Sequence, residues 1–308
     1  FWIATRGKIM KRILLTSTSL VLAAGFASAD VSFSGSAGVA LIDDNGASVA
    51  TRADMFVESY YDLDIAASAE SDNGISVSVG LDMGAGSKID YDDDDALEAQ
   101  GGAVGDADVT LGYNGWTLAV DQNGIDNLFD DSQQEDMSLS GAVGGISVAL
   151  ATDLENSTSS YKFGYTMAGI ALTLTGTDND DNGGDATKIA ASYAMGALTV
   201  SGSVEDESKA DGSEDDTTVG IKYAMNDALT LSYTSIQPGT AGSFGDEWDA
   251  KVAYSTGGVS ASFALDEADA TTVIAEYTLG GGAKAFAAMH DKPGTASDLT
   301  TIGLNFAF

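Results

Sequence analysis

At six points in this chain an alternating run of apolar and polar residues reaches a tyrosine, ends within a few residues at a tight turn, and restarts as another alternating run. The tyrosines are Tyr113, Tyr165, Tyr193, Tyr223, Tyr254 and Tyr277. The turns that follow them are Asn114-Gly115, Ala168-Gly169, Gly196, Asn226-Asp227, Gly257-Gly258 and Gly280-Gly281-Gly282. Successive side chains of a strand point to opposite faces. Tyr161, Phe163, Tyr165 and Met167 therefore share one face of their run, and Lys162, Gly164 and Thr166 the other. Val219, Ile221, Tyr223 and Met225 oppose Thr218, Gly220, Lys222 and Ala224 in the same way, and Trp248, Ala250, Val252 and Tyr254 oppose Asp249, Lys251 and Ala253. Longer acidic connections separate the hairpins. Tight turns at one end, long polar loops at the other and an aromatic at constant height predict a membrane-spanning antiparallel β-barrel.

A soluble β-sandwich also alternates and also uses hairpins. It has no need of a tyrosine at the turn end of strand after strand. A β-solenoid would show a short fixed repeat, whereas these hairpins are unevenly spaced. Eighteen candidate strands can be counted, at about 30–42, 51–70, 75–83, 106–113, 116–121, 135–142, 146–152, 159–167, 170–177, 186–195, 197–205, 216–225, 228–236, 247–255, 258–265, 270–279, 283–290 and 298–308. The predicted fold class is thus all-β, a closed antiparallel barrel of 16–18 strands. The acidic connections between the hairpins, including 84–105, 122–134 and 178–185, are expected on the extracellular side.

Composition agrees with this. Apolar residues make up 44% of the chain, yet after the first thirty residues they are spread as every second residue. No run there approaches the roughly 20 apolar residues of a membrane helix. The first residues differ: Lys11-Arg12 precede an apolar stretch, Ile13 to Phe26, and then Ala27-Ser28-Ala29. This order predicts a cleaved secretory signal over residues 1–29, with Met10 as the start of translation and a single barrel domain over 30–308. Cysteine is absent, which removes disulfides, thiolate metal sites and a cysteine nucleophile. The formal charge of −34 excludes nucleic acid as a partner and favours cations as ligands or permeants. Acidity of this size is also an adaptation to salt.

If the alternation holds, Arg52, Asp54, Glu58, Asp62 and Asp64 point into the lumen together, being spaced by two or four. Asp82, Asp121, Asp126, Asp130, Asp131, Glu135 and Asp136 add to an acidic interior, relieved by Lys162, Lys188, Lys222 and Lys251. Such a lumen accumulates cations and repels anions, within a screening length of about 10 Å at 0.1 M salt. The same carboxylates could equally be solvated wall residues without effect on selectivity. Asp178-Asn179-Asp180-Asp181-Asn182-Gly183 matches the first half of a calcium loop. Its twelfth position is Ile189 rather than glutamate, so Asp178, Asp180 and Asn182 predict at most weak Ca²⁺ or Mg²⁺ binding. Asp92 and Asp94, in the acidic run 90–95, read the same way, and no cofactor is required. His290 is the only histidine, and its spacing from any serine gives no support for a hydrolase.

The last residues, Ile302, Leu304, Phe306 and Phe308 on one face and a terminal Phe, resemble the assembly signal of outer-membrane barrels. The stretch Asp30-Val31-Ser32-Phe33-Ser34-Gly35 resembles the opening strand of alphaproteobacterial general porins of the Rhodobacter and Paracoccus type. That resemblance implies a homotrimeric, water-filled diffusion channel for small hydrophilic solutes, set in outer-membrane lipid and lipopolysaccharide. It also implies a third extracellular loop folded into the barrel, its carboxylates facing wall arginines. This sequence departs at both places. Where the family carries Arg-x-Arg, Arg52-Ala53-Asp54 stands, and the third connection, 122–134, is short. Either the pore is wider than in the family or this loop does not fold inward. A non-channel acidic surface β-protein, structural or adhesive, is the alternative reading.

Overall fold

Tight turns with the correct hand convert the alternating runs into a closed sheet. The computed structural model describes residues 30–44, 55–91, 97–100, 108–129, 133–179, 185–207, 216–238, 247–291, 293 and 298–308. Its strands are β1 (Asp30–Asp44), β2 (Met55–Glu70), β3 (Ser76–Ile89), β4 (Leu97–Ala99), β5 (Asp108–Tyr113), β6 (Trp116–Asp126), β7 (Gln134–Val143), β8 (Ile146–Thr152), β9 (Thr158–Met167), β10 (Ile170–Asn179), β11 (Ala186–Met195), β12 (Leu198–Glu207), β13 (Thr217–Ala224), β14 (Leu229–Gln237), β15 (Glu247–Thr256), β16 (Val259–Asp266), β17 (Thr271–Gly280), β18 (Ala283–Asp291) and β19 (Leu299–Ala307). All but β4 form one antiparallel ring of eighteen strands, so the upper of the two expected numbers applies. Among the described residues the short β4 pairs with the end of β3 alone.

The ring closes where β1 meets β19, in a register that runs from Ser36 opposite Ala307 to Asp44 opposite Leu299. Gly35 and Phe308 exchange two backbone hydrogen bonds of 3.0 Å at that seam. The apolar C-terminal residues thus pair with the first strand. Closure joins the first and last described strands, so the ring has no terminal edge strand, which is the condition for strands to cross a bilayer.

The turns explain the register. Asn114 and Gly115 have φ of 50° and 79°, Gly144 and Gly145 61° and 86°, and Gly257 and Gly258 56° and 84°. Two successive left-handed residues are the type I′ turn, whose twist matches that of the paired strands. Ala168 and Gly169 adopt the same conformation, at 52° and 82°, although Ala168 carries a Cβ.

The tyrosine row becomes a girdle. Tyr165 stands opposite Ile146, Tyr193 opposite Ile170, Tyr223 opposite Leu198, Tyr254 opposite Leu229 and Tyr277 opposite Val259. Each partner is the first residue of its strand, so the rings sit one layer above the turns. All six row tyrosines are exposed on the outer face, as an aromatic belt at a membrane interface requires. Both ends of the described chain lie at this turn end, and the strand ends that lead into the acidic connections lie at the other.

The strands differ from expectation chiefly at their loop ends. β3 runs on to Ile89 and β6 to Asp126. The register of β6 on β7 shifts between Val120 and Ile125, where Asn123 takes a left-handed φ of 53°. The third connection therefore shrinks to 127–133, and residues 122–126 belong to the wall.

Candidate channel lumen

Alternation assigns every wall residue to one side. Met55, Val57 and Tyr61 of β2 are exposed outward, and Glu58, Tyr60, Asp62 and Asp64 take the inner positions. Asp64 pairs directly with Asp82 of β3, and Asp62 lies opposite Gly84. The carboxylates of Asp62, Asp64 and Asp82 converge so that their ligand atoms all lie within 4.8 Å of one another. Local sequence makes this possible: Gly80 and Gly84 flank Asp82 on the inner face and carry no side chain to fill the space.

Across the ring the inner face carries lysines. Lys162 of β9 stands opposite Thr175 and Ala149. Lys188 of β11 pairs with Glu205 of β12 at 3.0 Å. Lys222 of β13 and Lys251 of β15 both face Ser232 of β14. Around the ring, β12 is nine strands from β2 and so diametrically opposite it. The lysine-bearing strands β9, β11, β13 and β15 straddle β12 symmetrically. Lys162, Lys222 and Lys251 have no carboxylate partner among the described residues. The wall between them is small and hydroxylated, with Ala171, Thr173, Ala190, Ser192, Ser201 and Ser203 lining one shallow groove.

The remaining sequence-predicted residues divide. Asp121 lies on the inner face of β6, and Asp126 is exposed at the end of that strand. Glu135 is fully buried, which removes it from the set that can meet a permeating ion. It accepts hydrogen bonds from Asn127 Nδ2 at 2.9 Å and Ser160 Oγ at 3.0 Å. Asn127 Nδ2 also donates to Thr177 Oγ1 at 3.1 Å, and the Leu128 amide to Ser160 Oγ at 3.0 Å. Ser160 and Thr177 are inner-face residues of β9 and β10, so the root of the third loop is tied down on the inner wall, with Glu135 as its anchor. Asp178 is exposed near the end of β10, where the strand leads into the acidic connection. Arg52, Asp54, Asp92, Asp94, Asp130, Asp131, Asp180 and Asn182 lie outside the described residues. His290 is buried, its Nδ1 3.1 Å from Thr272 Oγ1, and belongs to no catalytic group among the described residues.

Sequence reasoning passed over a second inner-face group. Ala40, Ile42, Ile274, Phe286 and Ala288 all occupy inner positions, which in a water-filled barrel should be polar. They are buried by Ile89 and Tyr91 at the end of β3, with Phe56, Leu97 and Leu299 packed alongside. The Tyr91 and Phe286 rings stack at 4.1 Å and 6°. Tyr91 Oη donates to Glu276 Oε1 at 2.8 Å, and Glu276 also receives Lys284 Nζ at 2.8 Å and Ser260 Oγ at 2.7 Å. The signal was present in the alternation itself: apolar residues at one height on the inner face of consecutive strands must be covered by something.

A closed ring with an apolar outer face, an aromatic girdle and a charged inner face is a transmembrane channel, and it excludes a sandwich or an adhesive sheet with free edges. The chain matches the model of the Gram-negative porin family over residues 16–237, and it belongs to that family. Solved structures agree on the fold. An engineered triple mutant of Rhodopseudomonas blastica porin is 19% identical, with a TM-score of 0.57, over 91% of this chain and 100% of that one. Two further mutants of the same porin, 21% and 20% identical, give TM-scores of 0.57 and 0.58 at the same coverage. No curated protein matches this chain in sequence. The barrel is an outer-membrane channel.

Proposed function

We propose that this porin is a passive diffusion channel for small hydrophilic solutes and that it prefers cations. The observation that carries the preference is the convergence of Asp62, Asp64 and Asp82 on the inner wall. Carboxylates so close repel one another and draw a counterion to the lumen. The lysines opposite are fewer per unit of wall, and Lys188 is already matched by Glu205. Planar-bilayer recording in a salt gradient tests the reading. The reversal potential should take the sign of cation selectivity, and anion selectivity would overturn it.

The finer features follow from the same reading. Residues 1–29 direct export and are removed. The channel assembles as a homotrimer, which rests on the family likeness alone, and its outer face meets lipid and lipopolysaccharide. Divalent cations bridging the acidic loops through Asp92, Asp94, Asp178, Asp180 and Asn182 belong to the proposal as well, supported by loop charge density. Catalysis forms no part of it.

A further inference from the structure

The end of β3 leaves the barrel wall. Its last pairing with β2 is Gly86 opposite Tyr60, although β2 continues five residues further, to Met55. Gly86 has a φ of 89°, and a Cβ there would collide with the Ser59 carbonyl. The backbone bends at that point. Ser87, Lys88 and Ile89 then pair with β4 instead of the wall. The Gln100 amide returns to the Gly86 carbonyl at 2.9 Å, so the excursion starts and ends at one place. Lys88 and Glu98 tie its arms together at 3.8 Å.

The direction of the bend is inward. Tyr91 touches Phe286 of β18 and Glu276 of β17, which lie beyond β2, β1 and β19 in the ring. Both contacts are inner-face residues, because Ala285, Ala287 and Met289 of β18 and Ala275 and Tyr277 of β17 take the alternate outer positions. The wall is shaped to receive the ring. Gly303 of β19 leaves the space that Phe286 occupies, and a Cβ there would collide with the Phe286 ring. Tyr91 and Phe286 are 4% and 3% exposed, so neither offers a surface to solutes. Their role is to hold.

We infer that Tyr91 is the latch of an inward strap, so that the described arms 86–91 and 97–100, rather than the third loop, set the clearance of this channel. The inference rests on the porin reading for its conductance consequences but not for its geometry. The strap fills the lumen against β17, β18, β19, β1 and β2. Water and solutes then pass along the opposite wall, where Ala, Ser and Thr leave room and the lysines stand. Glu276, satisfied by Lys284, Ser260 and Tyr91, contributes little net field on the strap side.

The test uses a thiol in a chain that has none. Ala288, buried beneath the strap, is replaced by cysteine (Ala288→Cys) and exposed to a charged, membrane-impermeant thiosulfonate in the refolded full barrel. Reaction should be slow. Adding Tyr91→Ala should raise its rate at least tenfold, and adding Tyr91→Phe, which keeps the stacked ring, should not. Phe286→Ala, which removes the same contact from the wall side, should act like Tyr91→Ala and serves if the latter fails to fold. In bilayers, Tyr91→Ala should also increase single-channel conductance and admit larger sugars in liposome swelling. Equal labelling in all backgrounds, or exposure by Tyr91→Phe as great as by Tyr91→Ala, would overturn the latch. If the Ala288→Cys barrels label as expected but the wild-type barrel does not conduct, the porin reading is refuted and the strap stays in place.

Discussion

Replacing Asp62, Asp64 and Asp82 together with asparagine should abolish most of the cation preference of this channel. The three carboxylates lie within 4.8 Å of one another, so a passing ion meets them as one charge of three units. At about 8 Å, in the dielectric of water, each contributes about 0.5 kcal/mol. A Debye length of about 10 Å at 0.1 M salt reduces that to about 0.2 kcal/mol per charge. The sum of about 0.7 kcal/mol enriches cations about threefold and depletes anions by the same factor. The permeability ratio should therefore fall about tenfold in the triple variant, read as a shift in reversal potential across a salt gradient. Asparagine preserves volume and sheet pairing, so the barrel should assemble as before. Salt supplies an internal check: at 1 M the Debye length is about 3 Å, and the same substitution should change the ratio less than about twofold. An unchanged ratio at 0.1 M, or a change equally large at 1 M, would refute the electrostatic argument.

Three further outcomes are expected. Lys162→Gln, Lys222→Gln and Lys251→Gln combined should raise the cation-to-anion ratio, by the same salt-dependent measure, because they remove the positive wall opposite the acids. Ala168→Asn should stabilise the β9–β10 hairpin by about 0.5–1 kcal/mol in urea unfolding from detergent or lipid, since asparagine tolerates the left-handed region that alanine pays for. Asp153 accepts from the Asn156 amide at 2.9 Å and from Asn156 Nδ2 at 2.7 Å, and these bonds hold its carboxyl below the usual range. A carboxyl depressed in the folded state stabilises the loop above its unfolded value and loses that contribution as pH falls through the folded one. Hydrogen-exchange protection of the Asn156 amide should accordingly be present at pH 6 and decline below about pH 4. In Asp153→Ala it should be low throughout, and protection that is flat with pH would contradict this.

Most of the wall was legible in the sequence because its two constraints are local. A hairpin turn needs two residues with positive φ, and Asn114-Gly115 and Gly257-Gly258 declare that in two letters. A lipid-facing row needs an apolar residue at every second place, and the runs ending in Tyr165, Tyr223 and Tyr254 supply it. The inner positions of Asp62, Lys162, Lys222 and Lys251 follow from the same count. What was not legible depends on contacts across the ring. Asp62 and Asp82 are separated by a turn and a strand, so their convergence with Asp64 appears only once the β2–β3 register is known. Glu135 reads as one more loop acid, and its burial comes from Asn127, Ser160 and Thr177 closing over it. The strap was hidden for a different reason. Nothing in Asp90-Tyr91 announces a partner at Phe286, far away in sequence. Only the excess of apolar residues at inner positions of β17, β18 and β1 hints that water is excluded there.

These placements also recast the departure from the Arg-x-Arg pattern. The resemblance implies a field across the lumen, with acids on an inward loop and arginines on the wall. This chain has a single arginine after residue 29 and a third loop reduced to 127–133. A transverse field does not require either, because it needs only opposite charges on opposite walls. Here the acids are on the wall itself, at β2 and β3, and the lysines are half a ring away, centred on β12. Fixing both signs on paired strands removes the entropy of ordering a loop, since the register of the sheet already sets every charge. The excursion after Gly86 anchors through Ile89, Tyr91 and Leu97 on an apolar patch of the wall, with Lys88 and Glu98 of its arms paired to each other. Size and charge selection thereby fall to separate elements, so the Tyr91→Ala and Asp62→Asn, Asp64→Asn, Asp82→Asn sets should change conductance and ion preference independently. If the strap variant altered the permeability ratio as strongly as the acid variant does, that separation would be wrong and the strap would have to lie within the field.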